Sequence, residues 1–205
     1  SFFCFFNIIY SYYFDNLTYL NNYVATFFIN LILGIFLTFV KKYKFIKINL
    51  YERIFAVLAG YFLLPITISL PYIFSFEYIS FINGYFEAIS GFTSTGFTVF
   101  NNLNYIDQTI ILWRSSSQWI GGLYFLFSIL LLIDIFDENL KKSLTNYISY
   151  NYSEIFKQSF KIIIVYISIT LLVFVLLKLI NLRSYDAYNY SLTIISSGGF
   201  LPNNN

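Results

Sequence analysis

Two short stretches of this chain carry oxygen atoms suited to a bare cation: Thr93-Ser94-Thr95-Gly96-Phe97 and Ser196-Ser197-Gly198-Gly199-Phe200. Neither contains a carboxylate, an imidazole or a thiol. They offer hydroxyl oxygens and backbone carbonyls, the ligands that replace an ion's hydration shell in a pore. The stretches close two copies of one motif. Tyr85 to Phe97 reads Y-F-E-A-I-S-G-F-T-S-T-G-F and Tyr188 to Phe200 reads Y-N-Y-S-L-T-I-I-S-S-G-G-F, with four of thirteen positions identical. Ile89/Leu192, Ser90/Thr193 and Thr93/Ser196 are close substitutions. Met once, a Ser/Thr/Gly stretch reads as a surface loop. Recurring in register behind two long apolar runs, it reads as a pore loop, whose irregular backbone is tolerated at membrane depth because it lines water.

The elements that must position these loops follow from length. Phe81 to Phe92 has room for three helical turns, about 18 Å, against a hydrocarbon core of about 30 Å, so the segment must dip in and turn back. Entering from outside, such a helix points its partially negative C-terminus inward, which favours a cation. Beyond it, Thr93 to Thr98 can run extended, and Gly96 permits a backbone conformation that a Cβ would resist. Four full apolar runs, Tyr23 to Val40, Ile54 to Phe74, Ile110 to Ile133 and Ile162 to Ile180, each approach the roughly 20 residues of a spanning helix. Pro65 and Pro71 are expected to kink or end the second run near its outer side.

Composition agrees. The chain has 205 residues, 58% hydrophobic and 11% charged, far from the soluble average of about 25% charged, so its surroundings are membrane lipid. A net charge of +2 spread over dispersed lysines forms no broad basic face, which excludes nucleic acid as a partner. One cysteine, Cys4, and no histidine exclude an internal disulfide, the common zinc sites and imidazole proton relays. Lys41, Lys42, Lys44, Lys47 and Arg53 crowd one connection, and Lys141, Lys142, Lys157 and Lys161 another. Both should be cytoplasmic. Ser75 to Thr109 and Asp15 to Asn22 hold no Lys or Arg and should face out. This agrees with strict alternation of the spans and makes the repeat parallel, related by an axis along the membrane normal. The fold class expected is all-α integral membrane, built of parallel helix, re-entrant loop, helix repeats, the first complete and the second truncated. Both termini read as cuts: Ser1 to Phe14 resembles the remnant of a spanning helix more than a signal peptide. The sequons at Asn16, Asn151 and Asn189 read as chance in an Asn-rich chain.

Y-F-E-A-I-S-G-F-T-S-T-G-F-T, followed by L-W-R-S-S-S-Q-W-I-G-G at Leu112 to Gly122, resembles the first pore loop and following helix of the Trk/Ktr/HKT potassium-transporter superfamily. The resemblance covers nearly the whole chain and implies its N-terminal portion. Residues 1–50 would be accessory helices, the first truncated, 51–140 the first pore unit, 141–161 a cytoplasmic connection, and 162–205 a second unit truncated after its filter loop. It implies a pore of four such units in the cell membrane, in a bacterium the inner membrane. It also implies a homodimer with a cytoplasmic nucleotide-binding regulatory subunit, and potassium as transported ion with no cofactor in this chain. The filter would comprise Thr93, Ser94, Thr95, Gly96, Phe97, Ser196, Ser197, Gly198, Gly199 and Phe200, with potassium held by backbone at Thr95, Gly96, Gly198 and Gly199. Gly96 and Gly199 match the filter glycines, and in this superfamily glycine at the first filter goes with potassium and serine with sodium. Leu201 departs from the small polar residue common after the second G-F, and Leu123-Tyr124 from a frequent Met-Gly.

Other residues have two readings each. Glu87 is costly if ionised and unpaired in an apolar setting; it either accepts hydrogen bonds from filter N–H groups or binds the ion, and tight ion binding would slow exit. Arg114 either snorkels to the interface or braces the loop by pairing with Glu87 or Asp107. Lys178 should snorkel. Trp119 and the many Tyr and Phe side chains are expected to be mostly lipid-facing and interfacial, and Gly121-Gly122 to allow close helix packing. Asp134, Asp137 and Glu138 read as a solvated connection or a regulatory contact. The reading is not an enzyme. Besides a potassium pore, two alternatives stand: a broken-helix secondary transporter, against which the parallel repeat argues, and a non-conducting fragment associating with full-length subunits.

Overall fold

The computed structural model describes residues 2–13, 17–40, 50–132 and 152–202. Seven α-helices run through them: α1 (Phe2–Tyr13), α2 (Leu17–Val40), α3 (Leu50–Ser75), α4 (Phe81–Phe92), α5 (Gln108–Leu132), α6 (Tyr152–Leu179) and α7 (Ser184–Ile195), with a 3-10 turn at Leu103–Tyr105. Four helical stretches, Tyr19–Leu37, Leu50–Ser75, Gln108–Leu132 and Lys157–Leu179, are long and apolar enough to cross a membrane. The chain is a multi-pass, all-helical membrane protein. These are the four apolar runs of the sequence, and each helix begins some residues earlier than its run. Interfacial residues such as Asn21, Glu52 and Lys157 carry the helices past the apolar boundary, because backbone hydrogen bonding does not stop where hydropathy does. The outward faces remain apolar: Phe36, Phe39, Phe55 and Leu172 are all exposed, as lipid contact requires.

The short helices fall where the loops predict. α4 and α7 are 12 residues each. Ser80 caps α4, its side chain accepting from Asn83 N–H at 3.3 Å, which satisfies one of the orphan donors of the first turn. α7 lacks a side-chain cap; Asp186 in its first turn complements the helix dipole and pairs with Arg183 at 3.0 Å.

α3 does not end at its prolines. It continues through Pro65 and Pro71 to Ser75. Each proline deprives the carbonyl four residues earlier, Tyr61 or Thr67, of its donor, and in both cases the next carbonyl along is met from another helix. Tyr85 Oη donates to Phe62 O at 3.0 Å and Trp113 Nε1 to Ile68 O at 2.9 Å. Side chains of α4 and α5 thus bond α3 carbonyls immediately beside each proline-opened position and pin the helix to its neighbours there.

α5 is the centre of the molecule. Every residue from Thr109 to Trp119 is buried, and the helix packs against α1, α3, α4, α6 and α7. This corrects the expectation for Trp119. Its indole is buried, donates to Thr170 Oγ1 at 3.0 Å and lies 4.7 Å from the Tyr166 ring. A helix enclosed on all sides has no lipid face for an aromatic to occupy. Tyr23 and Tyr72 are also wholly buried. Lys178 is exposed, its ammonium donating to Leu182 O at 3.0 Å. Asn189 is buried in α7. Lys41, Lys42, Lys44, Lys47, Asp134, Asp137, Glu138, Lys141, Lys142, Asn16 and Asn151 lie outside the described residues.

Candidate functional site

The two loops leave their helices by the same turn. Thr95 N–H donates to Ser90 O at 2.9 Å and Ser94 N–H to Gly91 O at 3.0 Å; in the second copy Gly198 N–H donates to Thr193 O at 2.8 Å and Ser197 N–H to Ile194 O at 3.1 Å. This nested pair is a Schellman closure, which places the residue after the cap in the left-handed region. That residue is Ser94 in one loop and Ser197 in the other, each at φ 55°. Glycine is usual there, and an L-residue costs about 1–2 kcal/mol. The same strained serine chosen twice marks the turn as a built feature. The reversal sends the chain from each helix end into an extended stretch.

The stretches meet at glycine. Gly96 has φ +82°, and a Cβ built on it would lie 2.7 Å from Gly199 Cα; one on Gly199 would lie 3.1 Å from Gly96 Cα. Backbone faces backbone there, with no room for a side chain. Thr95 O is next to the same point, 3.8 Å from the Cβ position of Gly199. Gly198 instead turns toward α5, where a Cβ would overlap the Gln118 amide. Of the expected site residues, Thr95, Gly96 and Gly199 therefore converge most closely. Phe97 is exposed and Phe200 buried, so the equivalent aromatics differ.

Behind the loops is a cavity of about 430 Å³, lined by the helix ends Phe92–Ser94 and Ile195–Ser197 and by Gly121 and Gly122. The C-terminal, partially negative ends of α4 and α7 thus border one space and favour a cation in it. Gly121 and Gly122 divide the work of close packing. A Cβ on Gly121 would overlap Phe92 O at the end of α4, and one on Gly122 would overlap the Tyr166 hydroxyl and crowd Ser196 at the end of α7.

The first strand is tied at both ends. Ser90 Oγ donates to Phe97 O at 2.6 Å. Glu87, fully buried, accepts from Thr98 Oγ1 at 3.0 and 3.1 Å and from Val99 N–H at 2.9 Å. Arg114 Nε donates to Glu87 Oε1 at 2.7 Å, with both side chains buried. Arg114 therefore does not snorkel; α5 holds it in the interior, where the paired carboxylate offsets the cost of burying its charge. Its guanidinium also lies over the rings of Phe200, 4.1 Å from the centroid, and Phe100, 5.5 Å away, within cation–π range.

Comparison with known proteins bears on the fold. No family model matches the chain. A curated relative, an uncharacterized cation transporter of Methanocaldococcus jannaschii, is 29% identical over 203 residues, covering 95% of this chain and 41% of that protein. The Trk system potassium uptake protein TrkI of Halomonas elongata is 34% identical over 55 residues, 27% of this chain and 11% of that one. The crystal structure of the potassium transporter TrkH from Vibrio parahaemolyticus superimposes with a TM-score of 0.75 over 98% of this chain and 42% of its own, at 24% identity. The chain has the Trk-type fold. It spans less than half the length of these proteins.

Within this Trk-type fold the second loop lacks the first loop's brace. In register, Tyr190 stands where the first copy has Glu87, and Leu201 where it has Thr98, so acceptor and hydroxyl donor are lost together. Thr193, the counterpart of Ser90, bonds Tyr190 O at 3.1 Å within its own helix and leaves the strand alone. The partner comes from α5. Gln118 is fully buried, with the end of its amide 3.0 Å from both Gly199 N–H and Phe200 N–H; two donors require an acceptor, so the amide is assigned with its oxygen toward the loop, where it accepts from both. Sequence reading did not single out Gln118. Its signal was faint: a large amide in a run of serines, one turn after Arg114.

Proposed function

We propose that this chain forms the first one and a half units of a potassium-translocating pore, in which the loops at Thr93–Thr98 and Ser196–Phe200 each supply one filter strand. The observation that carries the reading is the meeting of Gly96 and Gly199, backbone to backbone, beside two short helices closed by the same left-handed serine turn. Backbone oxygens at such a point can replace an ion's hydration shell, while the helix C-termini stabilise a cation in the cavity behind. Potassium is the transported ion and Thr95, Gly96, Gly198 and Gly199 offer backbone to it. Glu87 and Arg114 support the strand without binding the ion, since the carboxylate's oxygens are already taken by Thr98, Val99 and Arg114. The role is transport, not catalysis. The resemblance further supports a homodimer in the cell membrane with a cytoplasmic nucleotide-binding subunit, and domain limits near residues 50, 140 and 161.

The test is complementation. In cells lacking potassium uptake, a polypeptide extending this chain with two further loops should restore growth at low potassium, and residues 1–205 alone should not, because two strands leave the ion half coordinated. Rescue by residues 1–205 alone would overturn the assignment of a four-unit pore.

A further inference from the structure

We propose that Gln118 is the positioning residue of the second filter strand, replacing from the neighbouring unit's helix the carboxylate brace that the second pore helix does not carry. The inference rests on the pore reading above. In the first unit the strand is held from within: Glu87 on α4 accepts Val99 N–H and the Thr98 hydroxyl. In the second, both halves of that brace are replaced by Tyr190 and Leu201. An extended strand whose N–H groups lacked acceptors would be free to rotate its peptides or would leave buried donors unsatisfied, each costly in an interior. Gln118 accepts two successive donors, Gly199 and Phe200, at 3.0 Å, on the glycine that faces Gly96. Two consecutive N–H groups aimed at one oxygen behind the strand turn peptide dipoles in a fixed sense at that point.

The location adds a consequence. Gln118 lies four residues after Arg114 on α5, so both project from one helix face. Arg114 holds Glu87 of the first strand and covers Phe200 of the second. One helix, buried from Thr109 to Trp119, thus holds both strands, and their relative placement at Gly96 and Gly199 is set by the distance between two side chains one turn apart.

The experiment uses the complete polypeptide in proteoliposomes, with competitive rubidium and sodium flux as readout. Gln118→Met keeps length and volume and removes the acceptor; Gln118→Glu keeps the acceptor. Ser115→Ala removes a buried hydroxyl on the same helix that bonds only Ile111 O, and Gly96→Ser reports on the filter itself. The expected result is a rubidium-to-sodium ratio lowered about tenfold by Gln118→Met and within about twofold of the parent for Gln118→Glu and Ser115→Ala. If Gly96→Ser lowers the ratio and Gln118→Met leaves it unchanged, the role of Gln118 is overturned and the pore reading stands. If neither changes it, the pore reading itself fails. Equal loss in Gln118→Met and Gln118→Glu would assign the effect to side-chain fit and overturn the acceptor role. Should Gln118→Met not reach the membrane, Gln118→Asn, which withdraws the oxygen by one methylene, is judged by the same criteria.

Discussion

Gly96→Ser places one side chain where two backbones meet, and the consequence can be worked from distance. The new Cβ would lie 2.7 Å from Gly199 Cα, whereas carbon atoms rest at about 3.5–4.0 Å. The second strand must therefore yield by about 0.8–1.3 Å, a displacement as large as the tolerance over which a functional constellation is commonly lost. Gln118 holds that strand from behind at Gly199 and Phe200, so it cannot retreat without breaking those bonds. Gly96 also sits at φ +82°, where an L-residue adds about 1–2 kcal/mol. Relief of that strain by rotating the peptide would turn the Thr95 or Gly96 carbonyl from its present direction. Since about 1.4 kcal/mol is a factor of ten, the rubidium-to-sodium flux ratio of the complete protein should fall about tenfold. Gly96→Ala should act in the same direction, because the Cβ and not the hydroxyl causes the clash. The assay is competitive flux in proteoliposomes at matched protein content. An unchanged ratio in both variants, with transport retained, would refute the placement of Gly96 on the ion path.

Arg114→Met should destabilise the complete protein by about 3–5 kcal/mol, because it leaves the Glu87 charge buried without its partner; thermal unfolding in detergent measures this, and a loss below about 1 kcal/mol would mean that the pair contributes little. Orientation is tested by cysteine labelling in the Cys4-free background. Asn102→Cys, in the exposed segment after the first loop, should react from outside and Lys142→Cys only after permeabilisation, and labelling from one side would contradict a parallel repeat entered from the outer face.

The sequence by itself determined the class of this protein and the identity of its repeating element. Four apolar runs and two short segments differ in length, and length against bilayer thickness decides which of them span and which turn back; α4 begins and ends at the residues the spacing indicated. The Ser/Thr/Gly stretches stood out because clustered hydroxyls and glycines are rare in so apolar a chain, and both copies leave their helices by the same serine turn. Only the tertiary structure decided how the loops are held. Arg114 had two readings because a helix end near the interface and a helix enclosed by its neighbours have the same local sequence; packing of α5 between the two units chose the interior and its partner Glu87. Trp119 was misplaced for the same reason, since aromatic enrichment at a membrane interface is a tendency of surfaces and α5 has none along that stretch. The contact of Gly96 with Gly199, 103 positions apart in the chain, and the reach of Gln118 to the second strand are relations between units. Such relations depend on how two repeats are set against each other, which no period within either repeat encodes.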